Sequence, residues 1–181
     1  DCIMTTPVEI VREVSTLGIK SAPLMDAINS VETGQELKTT VTEMIEFLRR
    51  GMAENNAIGL SGIQIHAPVR IFVMKVKEVE RVCIDPVIKY AGSDLTSYRE
   101  GCVSFPGEYV TTKRYKKVFV QYYDETFTKV ECWLTGLESI CFQHELDHLN
   151  GIVMFMRQSK LKRAMWLKKQ EKIKLNRQVH A

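Results

Sequence analysis

The segment His144-Glu145-Leu146-Asp147-His148 carries the strongest chemical signal in the chain. Two His four residues apart on a helix lie one turn apart on the same face. Their imidazoles can share one metal ion, and Glu145 beside them is placed to take a proton from water at that ion. The chain has only four His, so chance pairing in this pattern is the weaker reading. A metal hydrolase needs a third protein ligand and an open position for water. Downstream, His180 and Glu171 both sit in a lysine-rich tail. Upstream, Cys102 lies in Glu100-Gly101-Cys102-Val103-Ser104 between glycine-rich turns, and a thiolate suits zinc or ferrous iron. A lone Cys is otherwise a small buried hydrophobe, which suits Cys83 and Cys132 in strand-like segments. A metallopeptidase built on the same His-Glu pair is the competing hydrolase, and it lacks a ligand downstream.

These residues need elements to hold them. Leu137, Ile140 and Cys141 precede His144 by seven, four and three positions, which places them on its face of a helix over 137–149. Asn150-Gly151 ends that helix. A second helix over 36–55 carries an apolar stripe of Val41, Met44, Ile45, Leu48 and Met52, with Gly51 weakening its last turn. Residues 160–177 form a final helix. Segments 70–76 and 82–88 are rich in Val and Ile and read as strands, and 117–123 and 129–135 read as a hairpin. Residues 1–34 read as an extended arm, 57–68 as a small-residue loop, and 91–114 as mostly loop, with Gly92, Gly101, Pro106 and Gly107 as punctuation. The short interleaved elements predict an α+β fold. Its mixed, largely antiparallel sheet packs around a central metal-binding helix, with an N-terminal amphipathic helix and a C-terminal basic helix.

With 181 residues the chain is expected to form a single catalytic domain over 1–181. At 45% hydrophobic and 26% charged it has a globular composition, and no apolar run reaches the roughly 20 residues of a membrane-spanning helix. Five cysteines, an odd number without a C-x-x-C pair, argue for a reducing compartment rather than a disulfide framework. The chain begins at Asp1 rather than Met, so its native N-terminus is expected to be missing or processed. Charge is uneven. Residues 157–181 hold nine Lys or Arg against one acid, a tail of +8 on a body of −5. Such a tail reads either as a solvated helix face or as a contact for a polyanion, nucleic acid foremost.

Three segments, in order and spacing, resemble the signature motifs of the peptide deformylase family. Gln143 to Gly151 (QHELDHLNG) matches in full. Glu100 to Ser104 (EGCVS) matches with Val103 where Leu is usual. Ala57 to Gln64 (AIGLSGIQ) keeps Gly59, Leu60 and Gln64. The resemblance implies a hydrolase that removes the formyl group from N-terminal formyl-methionine of new polypeptides and releases formate. It implies Cys102, His144 and His148 as metal ligands, with Fe2+ as the metal in the cell and Zn2+, Ni2+ or Co2+ as substitutes. Glu145 becomes the general base and acid, and the Gln64 amide and Val103 backbone N–H become oxyanion donors. Gln64 also reads as a loop-capping amide. Ile58, Gly59, Tyr98, Gly101, Tyr109, Leu137, Ile140 and Cys141 would bind the substrate. Glu100 and Asp147 would stand behind the ligands, with Arg114 as partner for Glu100.

The resemblance also implies a place of work: the cytoplasm of a bacterial-type cell or a bacterium-derived organelle, on nascent formyl-Met peptides and without DNA or membrane. The tail, with Lys160, Lys162, Arg163, Lys168, Lys169, Lys172, Lys174 and Arg177, becomes a candidate contact for ribosomal RNA, and Trp166, Met165 and Leu161 candidate ties of that helix to the body. Five further positions depart from the family pattern. Ala57 replaces a Gly, which costs about 1 kcal/mol if φ is positive there. Ser61-Gly62 replaces a pair of Ala, Ser61 adding a hydrogen bond and Gly62 looseness. Tyr109 and Tyr98 stand for an Arg and a smaller aliphatic residue, which narrows the pocket. A degenerate member that binds ribosomes or peptides with little activity is the alternative.

Overall fold

A computed structural model describes residues 6–180. Cys2, part of the cysteine count, and the first residues of the expected N-terminal arm lie outside the described residues.

Two sheets flank one helix. The larger has five strands in the order β1-β2-β3-β6-β7, every neighbour antiparallel. These are β1 (Gly59–Ser61), β2 (Ile71–Val76), β3 (Val79–Ala91), β6 (Lys117–Tyr123) and β7 (Lys129–Thr135). The smaller is a hairpin of β4 (Leu95–Cys102) and β5 (Phe105–Tyr115). Helix α4 (Gly136–Leu149) lies between them, buried along nearly its whole length. A helix so placed must satisfy its polar side chains internally. Gln143 does so by clamping the end of β5: its Oε1 accepts from Tyr115 N at 3.0 Å and its Nε2 donates to Tyr115 O at 2.9 Å.

Helix α3 (Gly34–Asn55) shows the expected stripe, with Val41, Ile45, Leu48 and Met52 buried against Leu60, Ile71 and Val73. It stops at Asn56, which adopts the left-handed conformation (φ 49°). Gly51 proves to be a contact rather than a weak point: a Cβ there would lie 2.7 Å from the Leu60 side chain. Strand β3 is longer than expected and irregular. Its pairing with β6 shifts between Ile84 and Val87, where Pro86 offers no N–H. Asp85 in that shift accepts from Leu24 N and Met25 N at 2.9 and 2.8 Å, which ties down the start of the short helix α2 (Met25–Ile28).

Four expectations are corrected. The N-terminal arm contains two single-turn helices, α1 (Val14–Leu17) and α2. The small-residue loop contains β1 and a 3-10 turn (Gly62–Ile65). Gly62 is tight rather than loose, since a Cβ would meet Ala67 O at 2.7 Å. Most of 91–114 is the β4–β5 hairpin, not loop. Helix α5 (Lys160–Val179) is tied to the body by Trp166 alone of the three residues expected. Trp166 stacks on Phe155 at 4.1 Å and meets Phe105 edge-on at 5.5 Å, while Met165 and Leu161 are exposed. Among the described residues no helix is long and apolar enough to cross a membrane.

Candidate active site

The hairpin and α4 bring the chemistry together. Strand β4 ends at Cys102, β5 begins at Phe105, and only Val103 and Ser104 link them. Neither linking residue has positive φ, and the register shifts between Gly101, which pairs with Tyr109, and Cys102, which pairs with Phe105. Cys102 therefore sits at a hairpin tip that leans over α4. Its Sγ, His144 and His148 offer ligand atoms within 4.8 Å of one another, and Sγ lies 3.4 Å from His148 Nε2.

The charges around this cluster favour a cation. Glu100 Oε1 accepts from His144 Nδ1 at 2.8 Å, which leaves Nε2 of that ring for the cluster. Burial works against the Glu100 carboxylate, but hydrogen bonds from Arg114 and His144 hold it down at about 2, so it is ionised. Burial also works against a charged His144, yet Cys102 and Glu100 raise its imidazole well above the ordinary value. The site thus draws positive charge between sulfur and carboxylate. A divalent ion meets the same demand with the donor set of one thiolate and two imidazoles that suits iron or zinc. Burial pushes His148 well below its ordinary value, so its ring stands neutral with a lone pair to give.

Behind the cluster runs a buried ion-pair network. Arg114 bonds Glu100 in bidentate fashion, Nε to Oε2 at 2.7 Å and Nη2 to Oε1 at 2.8 Å, and reaches Asp147 Oδ2 through Nη1 at 2.6 Å. Thr112 donates to Glu100, and Arg157 Nε donates to Asp147 Oδ2 at 2.9 Å. Arg114, Glu100 and Asp147 were legible as a group. Thr112, which is buried, and Arg157, which is exposed, were not, because nothing in their local sequence marks them as partners of those acids.

The remaining expected residues line one open cleft of about 390 Å³. Ile58, Gly59, Gln64, Tyr98, Gly101, Val103, Tyr109, Leu137, Ile140 and Cys141 all border it, together with Cys102, His144 and Glu145. His148 stands behind. Glu145 is 3% exposed, and among the described residues its Oε2 has no hydrogen-bond partner. Burial pushes its carboxyl up to about 7. Gly59 makes room for it, since a Cβ there would fall 2.7 Å from Glu145 Oε1. Gln64 adopts its loop-capping reading. Its Oε1 accepts from Ser61 N at 3.0 Å and Ser61 Oγ at 2.9 Å, and its Nε2 points to Ser104 Oγ at 3.1 Å and Cys102 Sγ at 3.4 Å. Ser61 therefore supplies the hydrogen bond expected of it. Ala57 carries no positive φ; Asn56 takes that conformation instead. The cleft also gathers Asn55, Asn56, Arg99, Phe105 and Glu108, which motif reasoning did not reach. Nothing in the sequence marks Arg99, because residues 95–99 are exposed or half-exposed throughout and print no alternation.

The family model described as polypeptide deformylase matches residues 12–164. A peptide deformylase of Rhodopseudomonas palustris (strain TIE-1) is 38% identical over 144 residues, covering 76% of this chain and 82% of the relative. One from Pelagibacter ubique is 33% identical over 180 residues, 97% of this chain and 95% of the relative. Among solved structures, the peptide deformylase of Thermotoga maritima is 28% identical with a TM-score of 0.75, over 86% of this chain and 99% of that one. One from Synechococcus elongatus, in complex with actinonin, is also 28% identical with a TM-score of 0.75, over 93% of this chain and 88% of that one.

Proposed function

The chain belongs to the polypeptide deformylase family, enzymes that deformylate nascent peptides, and from that premise we propose how its own residues do so. The substrate is the N-terminal formyl amide of formyl-methionyl polypeptides, and formate is released. One observation carries the reading: Cys102, His144 and His148 converge at a cleft that also holds the buried Glu145 and the Gln64 amide.

Cys102, His144 and His148 would hold the divalent metal, Fe2+ in the cell with Zn2+, Ni2+ or Co2+ able to replace it. When bound, that ion supplies the Lewis acidity that makes water nucleophilic near neutral pH. Glu145 takes a proton from the attacking water. The water oxygen bonds the formyl carbon, and negative charge gathers on the formyl oxygen. Gln64 Nε2 and the Val103 backbone N–H donate to that oxygen, a donor of this kind lowering a barrier by about 3 kcal/mol. Glu145 then returns the proton to the amine as the C–N bond breaks. Burial that lifts its carboxyl to about 7 suits it to both transfers. Ile58, Tyr98, Leu137, Ile140 and Cys141 receive the methionine side chain, Tyr109 and Gly101 border its entry, and Gly59 admits the substrate backbone.

Helix α5, anchored at Trp166 and basic along its exposed length, is read as a ribosome contact through RNA phosphates. On this reading the enzyme works in a bacterial-type cytoplasm or a bacterium-derived organelle. Formate release from a formyl-Met tripeptide, with protein loaded anaerobically with Fe2+ and then with Zn2+ or Ni2+, tests the chemistry. Glu145→Ala should keep the metal and lose most turnover; a fully active variant overturns the assignment. Salt-sensitive ribosome binding should disappear when the chain is cut after Gln158, and equal binding by the shortened chain overturns the contact.

A further inference from the structure

The mouth of the cleft carries a cation that has no acidic partner among the described residues. Arg99 lines the cleft from β4 and is exposed. Its guanidinium carbon lies 4.9 Å from the centroid of the Tyr109 ring on the facing strand. Among the described residues Arg99 forms no ion pair, whereas the neighbouring acids are all engaged or buried. Glu108, on the same rim, is met by Lys169 of α5 at 3.2 Å. Glu100 is held by Arg114 and His144. Glu145 is buried at the floor. The opposite rim offers the neutral amides of Asn55 and Asn56. The charge that an entering peptide meets is therefore that of Arg99.

Its placement is built rather than loose. Gly101 has no Cβ, and one would lie 2.9 Å from Tyr109 Cε1, so the glycine lets that ring lie across β4. The ring in turn supports the guanidinium. An arginine stacked on an aromatic face has lost part of its freedom already, and its N–H edges stay available to an anionic acceptor.

We propose that Arg99 is a specificity residue that selects formylated peptides carrying Asp or Glu just after the methionine, by a charge-assisted hydrogen bond to that carboxylate. The proposal rests on the deformylase reading and names a favoured class among its substrates. Basic peptides are disfavoured at the same place. The contribution is that of a partly exposed pair, so its size is about two- to fivefold in KM and shrinks with salt.

The test uses formyl-Met peptide amides of four residues with Asp, Ser or Lys at the second or third position. Formate release gives kcat and KM, and calorimetry gives binding of the same peptides, at low and physiological salt. Acidic peptides should show the lower KM at unchanged kcat. The acid-to-base ratio should fall to about one in Arg99→Gln and invert in Arg99→Glu. Lys169→Gln, which frees the Glu108 carboxylate on the same rim, should reduce the ratio. Equal KM values in the unaltered enzyme, or an unchanged ratio in Arg99→Gln, overturn the proposal while turnover keeps the deformylase reading. Lack of turnover on every formyl peptide overturns that reading instead. Calorimetry then decides the proposal alone: an acid preference lost in Arg99→Gln supports it, and no preference overturns it.

Discussion

Replacing Arg114 by Met should unlock the site from behind. Arg114 is 3% exposed and bonds Glu100 twice and Asp147 once. Its removal leaves Asp147 with Arg157 but takes from Glu100 its only buried guanidinium. Breaking a buried pair by deleting one partner costs about 3–5 kcal/mol, because the other charge stays uncompensated. For a chain of this size that is a melting-temperature drop of roughly 6–20 °C. Glu100 also fixes the His144 ring through Nδ1, so metal affinity should fall about 10- to 100-fold in the same variant. Glu100→Gln combined with Arg114→Met removes both charges, and Gln can still accept from His144. The double variant should be more stable than the two single losses added together, with a coupling of about 1–3 kcal/mol. Denaturant unfolding and metal titration read both quantities. A single-variant cost below about 1 kcal/mol, or strict additivity, would refute the view that this network holds the ligands.

Three other perturbations follow from separate contacts. Gly59→Ala puts a Cβ 2.7 Å from Glu145 Oε1. It should cut formate release about 100-fold while metal content stays unchanged, as expected when a catalytic group is moved by about 1 Å. Trp166→Ala empties the stack on Phe105 and Phe155; thermal unfolding should show a loss of about 3–5 kcal/mol. Asp124 is half-buried, and burial acts against its carboxylate. Hydrogen bonds from Thr126 and Thr128 hold it below its ordinary value. Its contribution is complete above the unfolded value of about 3.9 and fades as pH falls through the lower folded one. Asp124→Asn should therefore be less stable at neutral pH, with the gap closing as pH falls below the unfolded value.

Helix α3 and the β6–β7 hairpin could be read from the sequence because each has one face in the core. Val41, Ile45, Leu48 and Met52 print a helical stripe, and Val118, Val120 and Tyr122 print a strand alternation. The β4–β5 hairpin could not. Residues 95–99 are exposed or half-exposed on both faces, so burial leaves no alternation. Its breakers have local reasons: Gly101 lies under Tyr109, and Gly107 takes φ 75°. Strand β1 is three residues long and exists only because β2 is there to pair with it. The ligating and proton-transfer candidates were legible because metal and proton chemistry restricts residue type. Thr112 and Arg157 were hidden because a Thr in a strand and an Arg after a helix look like surface until the fold sets Glu100 and Asp147 against them.

The three candidate ligands come from only two elements, the tip of the β4–β5 hairpin and one face of α4. Those elements are fastened to each other independently of any ion, by Arg114 between Glu100 and Asp147 and by Gln143 on Tyr115. Small zinc domains gain their fold from the metal and unravel under a chelator. Here assembly of the pocket precedes loading. A chelated sample should remain folded and accept a different ion without passing through a disordered state. A donor set of one thiolate and two imidazoles would impose little selection between two ions of similar appetite for sulfur and nitrogen, which would leave the choice to supply and exchange rate.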